Sequence, residues 1–261
     1  MMKRLALFGG IYNNYRALEV ALADAQRRKA DAIYCLGDMG AFGPCPDRVY
    51  PLLRDHNVQC IQGNYDNSLA GGLADCQCGY TDPRDNYFAR ISYNYTFKNT
   101  SEQNKVWLRT LPATLRLEVE GRRVLLCHGS PRKMNEFLWE STSPDSFLEY
   151  LLEVSNADII CATHTGIKWR RSLSRNRHFI NVGVLGRPEN DGRTNVWYTL
   201  LTISGDDVDV AFIPIEYDCK ALAADMESEG LPDEFIETIL TGWWTTCLEI
   251  LPHKERARGR Y

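Results

Sequence analysis

The chain has 261 residues, a net charge of -4, 44% hydrophobic residues and 25% charged residues. That length suffices for a full hydrophobic core, and so small a negative balance excludes a global drive toward nucleic acid or an anionic membrane. No stretch approaches the roughly 18 apolar residues of a membrane span, and the apolar run opening MMKRLALFGG is too short for a signal segment.

Strand-like runs and helix-like patterns alternate through the first half. Leu5–Phe8, Ile33–Leu36 and Val58–Ile61 read as strands, with helical patterns over Tyr15–Lys29 and Asp47–His56 between them. Such alternation predicts crossovers and a largely parallel sheet. Gly71–Tyr80 is rich in Gly and Cys, and TDPRDN after it reads as a turn. Thr100-Ser101-Glu102-Gln103 looks like a capping box opening a helix that ends before Pro112. Thr114–Glu120 and Arg123–Cys127 read as a strand pair about Gly121. Ser143-Pro144 then opens a helix to about Val154, and Asp158–Cys161 forms a short strand.

Beyond that the pattern turns antiparallel, over Ile167–Leu173, His178–Val182, Asn195–Ile203 and Val208–Ile215. Cys219–Leu251 is helical, broken at Gly230-Leu231-Pro232, and the tail KERARGRY is expected to fray. The division predicted is a main domain over 1–217, with an insertion over 71–99, and a helical appendage over 218–261. Nine cysteines is an odd count, and Cys35, Cys60, Cys127 and Cys161 lie inside apolar runs. A thiol there behaves as a small hydrophobe, which argues for a reducing cytoplasm. Cys76 and Cys78 are expected to be plain loop thiols, with a structural zinc the lesser reading.

Four apolar runs end in a residue able to bind metal: Asp38 after IYCLG, Asn64 after VQCIQG, His128 after VLLC and His164 after DIICAT. Ligands collect outside the carboxyl ends of strands in open α/β sheets, and this mixed nitrogen and oxygen set suits Mn, Fe, Zn or a similar divalent ion. A lone His at a strand end is more often a core or capping residue. Four such residues at one structural station make coincidence a poor explanation.

The segments GDMGAFGPCP (37–46), GNYD (63–66), CHGSPR (127–132), ATHTG (162–166) and NVGVLGRPENDG (181–192) resemble, in order, the motifs of the calcineurin-like metallophosphoesterases. They are most similar to the small bacterial and archaeal phosphodiesterase branch. The resemblance spans roughly residues 5–203. It implies an α/β four-layer αββα sandwich of mixed sheets, a two-metal site at the strand ends and hydrolysis of phosphate esters.

Carried over residue by residue, the resemblance makes Asp38 the metal-bridging aspartate and Asn64, His128 and His164 the remaining ligands of the second metal. The first metal's ligands are missing. Gly10 and Tyr12 stand where Asp-x-His is expected, and Gly166 where the last His of His-x-His is expected. Tyr65 occupies the position of a family histidine that protonates the leaving group or steadies the transition state. Tyrosine is a poor general acid at neutral pH unless its pKa is shifted. Tyr65 and Asp66 are the candidate catalytic residues, with simple packing the bland reading for Tyr65 and a ring filling vacated space the reading for Tyr12.

Arg132 is the candidate substrate contact, since arginine recognises phosphate through its fork of donors. The cations of KWRRSLSRNR (168–177) fit substrate contact or a solvated strand edge equally. Cys45 and His178 are conceivable replacements for the missing ligands. The expectation is a cytoplasmic metal-dependent phosphoesterase holding one divalent transition-metal ion and acting on a phosphate-containing small molecule. No membrane or nucleic-acid partner is indicated, and a homo-oligomer is compatible. The alternative is a binding or scaffold protein on the same fold.

Overall fold

The computed structural model describes residues 2–257. In chain order the strands are β1 (Lys3–Phe8), β2 (Ala32–Cys35), β3 (Gln59–Cys60), β4 (Leu115–Val119), β5 (Arg122–Leu126), β6 (Ile159–Ala162), β7 (Trp169–Leu173), β8 (Arg177–Asn181), β9 (Val196–Ser204) and β10 (Asp207–Ile215). They form two five-stranded sheets, ordered β10-β9-β1-β2-β3 and β4-β5-β6-β8-β7. Strands β1, β2 and β3 run parallel, as do β5, β6 and β8, while β9, β10, β4 and β7 pair antiparallel. Both sheets are therefore mixed.

The period-two alternation of a strand sets the layers. Leu5 and Leu7 of β1 point into a core shared with Val124, Leu126, Ile159, Cys161 and Ile180 of the second sheet. Ala6 and Phe8 point the other way, into a core closed by helices. Those helices include α1 (Tyr15–Arg27), α2 (Val49–Asp55), α3 (Asn64–Gly71), α4 (Pro83–Asn99) and α5 (Glu102–Arg109). On the far side, α6 (Asp145–Val154) lays Leu148, Leu151 and Leu152 against Leu125, Ile160 and Phe179. The order helix, sheet, sheet, helix is the αββα sandwich. The C-terminal α7 (Cys219–Ser228) and α8 (Asp233–Thr241) add Leu222, Met226, Phe235 and Ile239 to the helix-side core, and α9 (His253–Arg256) follows.

Local chemistry explains where the elements depart from the sequence reading. TDPRDN is a helix start: Asp82 accepts from the amide of Arg84 at 2.7 Å, and Pro83 occupies the first helical position of α4. The same residue types favour turns and helix starts, which is why the two are confused. The cap of α5 is Ser101, whose hydroxyl takes the Asn104 amide, so its third helical residue is not the Glu or Gln of a capping box. At α6 the cap is Pro144 itself, one residue later than expected, and a 3-10 turn over Pro46–Arg48 precedes α2. Cys76 and Cys78 are joined in a disulfide rather than free. Of the tail, His253–Arg256 is helical, with Arg256 paired to Glu249 at 2.7 Å, and 258–261 lie outside the described residues.

Candidate metal centre

Asp38, Asn64, His128 and His164 arrive from two sheets at one place. Asp38 and Asn64 follow β2 and β3 of the first sheet, and His128 and His164 follow β5 and β6 of the second. A buried hydrogen bond ties the halves together, His128 Nδ1 donating to the Leu36 carbonyl at 2.7 Å. A carbonyl only accepts, so Nδ1 carries a proton, and in the neutral imidazole the lone pair lies on Nε2. That Nε2 lies 3.1 Å from Asn64 Oδ1, 3.2 Å from His164 Nδ1 and 3.3 Å from Asp38 Oδ2.

Asn64 is turned the same way, because its amide nitrogen donates to the Cys76 carbonyl at 2.8 Å and leaves Oδ1 pointing inward. Asp38, His128 and His164 offer atoms within 4.8 Å of one another, all three residues buried. With His128 neutral and the His164 lone pair on Nδ1, all four converging atoms are acceptors, an arrangement that a cation would satisfy. The donor set thus fits a divalent transition metal.

The electrostatics agree. Burial and the neighbouring His128 push the His164 imidazole down to about 3, which leaves it neutral and able to bind metal. Burial opposes charge on His128, but Asp38, the Leu36 carbonyl and Asp66 together raise that pKa. Burial likewise works against the Asp38 carboxylate, and His128, His164 and the Tyr65 amide together lower its pKa. Asp38 and His164 both hold left-handed backbone, at φ 56° and 70°. Strain of this kind costs about 1–3 kcal/mol per residue and collects at functional sites. Close approach fixes Gly63 as well: a Cβ there would stand inside contact distance of Asp38 Oδ1 and 2.8 Å from His128 Cε1.

The candidate catalytic pair is placed differently. Asp66 is fully buried and faces backbone, Oδ2 accepting from the amides of Asp38 at 2.6 Å and Gly63 at 2.8 Å, and Oδ1 from Met39 at 3.1 Å. As the third residue of α3 it reaches back to the cap amide and fixes the Asp38 loop. Tyr65 lines the cavity beside the cluster, but its hydroxyl donates to Ser92 Oγ at 2.9 Å and burial drives its pKa far up.

Arg132 does not line the cavity; it pairs with Glu136 and lies over the Phe147 ring. The cations of 168–177 border the edge strand β7 and are largely engaged, Lys168 with Glu189 and Arg171 with Asp145. Cys45 meets Glu229, and His178 meets Asn176 and Ser172, both away from the cavity.

The positions of the missing first-metal ligands are crowded. A Cβ on Gly10 would run into the ring of Tyr12, and one on Gly166, at φ 80°, would come within 2.9 Å of the Trp244 ring. Tyr12 and Arg187 both line the cavity, and Arg187 lies over the Trp244 ring at 3.5 Å. Sequence reasoning missed Arg187 and Trp244. Arg187 sat inside the quoted segment 181–192 but carried no signal of where its loop returns.

A family model described as the calcineurin-like phosphoesterase superfamily domain matches residues 4–206. The chain belongs to this superfamily. An uncharacterised protein of Methanocaldococcus jannaschii is 26% identical over 253 residues, covering 91% of this chain and 98% of its own. Among solved structures, a hypothetical protein of Pyrococcus horikoshii OT3 superposes with a TM-score of 0.77 at 21% identity, over 93% of this chain and 99% of its own. A metallophosphoesterase of Sphaerobacter thermophilus gives 0.69 at 24%, over 93% and 100%. Both likenesses extend the family's fold to nearly the whole chain.

Proposed function

We propose that this chain is a phosphoesterase-like hydrolase that works with one divalent transition-metal ion, held by Asp38, Asn64, His128 and His164. The observation that carries the reading is the convergence of four buried acceptor atoms on one point, beside a space where a second set of ligands is replaced by Tyr12 and Trp244. A bound ion would supply Lewis-acid polarisation of a phosphoryl oxygen and lower the pKa of a coordinated water. The chain's own residues orient that chemistry. His128 is locked by Leu36, Asn64 by Cys76, and the Asp38 loop by Asp66.

Tyr12 and Tyr65, which line the cavity beside the cluster, are weak acids for protonating a leaving group. Burial raises the pKa of both the Tyr12 and Tyr65 phenols, so neither gives up a proton readily near neutrality. The substrates that fit are phosphate esters whose leaving group departs without help, such as aryl esters.

The test is turnover of generic aryl phosphomonoesters and diesters with added manganese, for wild type and His128→Ala. Metal-dependent turnover that His128→Ala abolishes, and that rises with leaving-group acidity, supports the reading. Turnover that survives His128→Ala rejects it. The filled first-metal space favours a second reading, a ligand-binding protein on this fold, and one bound metal without turnover would decide for that one.

A further inference from the structure

We propose that Arg187 forms, with the adjoining cavity, a subsite for the phosphoryl oxygens of the substrate, its guanidinium serving on the side where the resemblance places a first metal. The inference rests on the phosphoesterase reading and deepens it.

Arg187 is only 7% exposed, and its buried Nε has no hydrogen-bond partner. Its guanidinium lies over the Trp244 ring at 3.5 Å, with the rings of Tyr12 and Phe42 at 5.9 and 5.8 Å. One guanidinium nitrogen stands 3.4 Å from where a Cβ on Gly166 would be. The cation thus sits among Tyr12 and Gly166, two of the three positions at which first-metal ligands were expected. Aromatic faces offset part of the cost of burying a charge, but they accept none of its five N–H donors in the plane of the fork. The Glu189 carboxylate, two residues along the same loop, is engaged by Lys168. A buried guanidinium whose Nε has no partner among the described residues calls for an anion.

The loop is anchored so that this cation is presented rather than free to swing. The amides of Leu185 and Gly186 both donate to the Gly10 carbonyl, at 2.9 and 2.8 Å, and Gly186 packs so closely that a Cβ would strike Ile11 and Tyr12. Gly10, which cannot serve as a metal ligand, therefore supports the arginine loop instead.

The cavity that Arg187 lines also receives Asp38, His164, Tyr12, Tyr65 and Tyr80. It encloses about 50 Å³. At ~15 Å³ per water that is room for about three waters, the scale of one phosphoryl group rather than a large ligand. Asp38 in the same cavity would repel an anion unless its charge is neutralised, so binding should need both a cation at the acceptor cluster and Arg187. Arginine suits the task because its planar fork matches two phosphate oxygens at once.

The experiment is calorimetric titration of inorganic phosphate into manganese-loaded protein, with manganese content and thermal unfolding measured on the same samples. Wild type is expected to bind phosphate, and Arg187→Met to bind it at least about tenfold more weakly while keeping wild-type manganese content. Arg187→Lys, which keeps the charge but loses the fork, is expected to fall about threefold or more and carries the test if Arg187→Met does not fold. Either folded variant binding phosphate within about twofold of wild type overturns the proposal, because an arginine that only clamps Trp244 would lower unfolding temperature without touching phosphate affinity. Wild type that holds manganese but binds no phosphate also overturns it. A wild type that takes up no manganese is a different failure, that of the metal-site reading, and the manganese content reveals it separately.

Discussion

Replacing Asp66 by Asn separates a supporting residue from a catalytic one. The carboxylate takes three backbone amides, from Asp38, Gly63 and Met39, in a site with no solvent exposure. An amide side chain has one acceptor oxygen, best used where Oδ2 now takes two amides. Its NH2 group then faces the Met39 amide, leaving that buried donor unsatisfied at a cost of about 1–3 kcal/mol. The two retained bonds lose their charge assistance, worth roughly 1 kcal/mol each. Burial and the neighbouring Asp38 push the Asp66 carboxyl up to about 7, so only part of that charge is present near neutrality. The expectation for Asp66→Asn is therefore a loss of about 2–3 kcal/mol, read as a lower guanidinium midpoint at unchanged slope. Metal affinity should weaken too, because the Asp38 loop loses its anchor. Asp66→Asn that loses turnover but stays within about 0.5 kcal/mol of wild type, a change typical of an innocuous surface substitution, would refute the reasoning and return Asp66 to a catalytic role.

The remaining predictions touch each layer of the sandwich. Leu151→Ala, at a fully buried position of α6, should cost about 3 kcal/mol by denaturant unfolding, whereas Tyr150→Ala beside it, half exposed, should cost under about 0.5. Arg123 beside Asp158 holds that carboxyl down at about 2, by hydrogen bonds at 2.7 to 3.0 Å. A depressed carboxylate stabilises above its unfolded pKa near 3.9 and loses that contribution as pH falls toward 2. Asp158→Asn should thus flatten the stability curve between about pH 4 and 2, by no more than about 1 kcal/mol after solvent screening. Restoring the missing ligand as Gly166→His should lower stability by at least about 1–2 kcal/mol through left-handed backbone alone, with the Trp244 ring at 2.9 Å adding to it. Metal content of Gly166→His should not rise, because Tyr12 and Trp244 still fill the space.

The strands were legible because they advertise themselves, and their stacking as a sandwich came from the family resemblance. Ten runs read from the sequence correspond to the ten strands among the described residues, with ends shifted by a residue or two. The convergence of the four candidate metal ligands was legible for a related reason, each following its run at a strand's carboxyl end. What stayed hidden depends on direction or on distance along the chain. Asp66, a candidate catalytic residue, stands two residues from Asn64. The turn of α3 sends Asn64 toward the cluster and Asp66 back to the backbone amides, an arrangement that the Gly-Asn-Tyr-Asp spacing of an N-terminal cap could have signalled. Arg187 and Trp244 meet only because a loop after β8 and the segment after α8 return over Gly10 and Gly166. No local pattern encodes that return. Arg132 was favoured for its phosphate-matching fork, and Glu136 four residues on is the partner that engages it.

The central claim is one metal at four named residues, and metal counting of purified, manganese-reconstituted protein tests it most directly. One ion per chain is expected in wild type, falling to background in His128→Ala, whose Nε2 lies within 3.3 Å of the three other ligand atoms. Two ions per chain, or one that persists in folded His128→Ala, would contradict it.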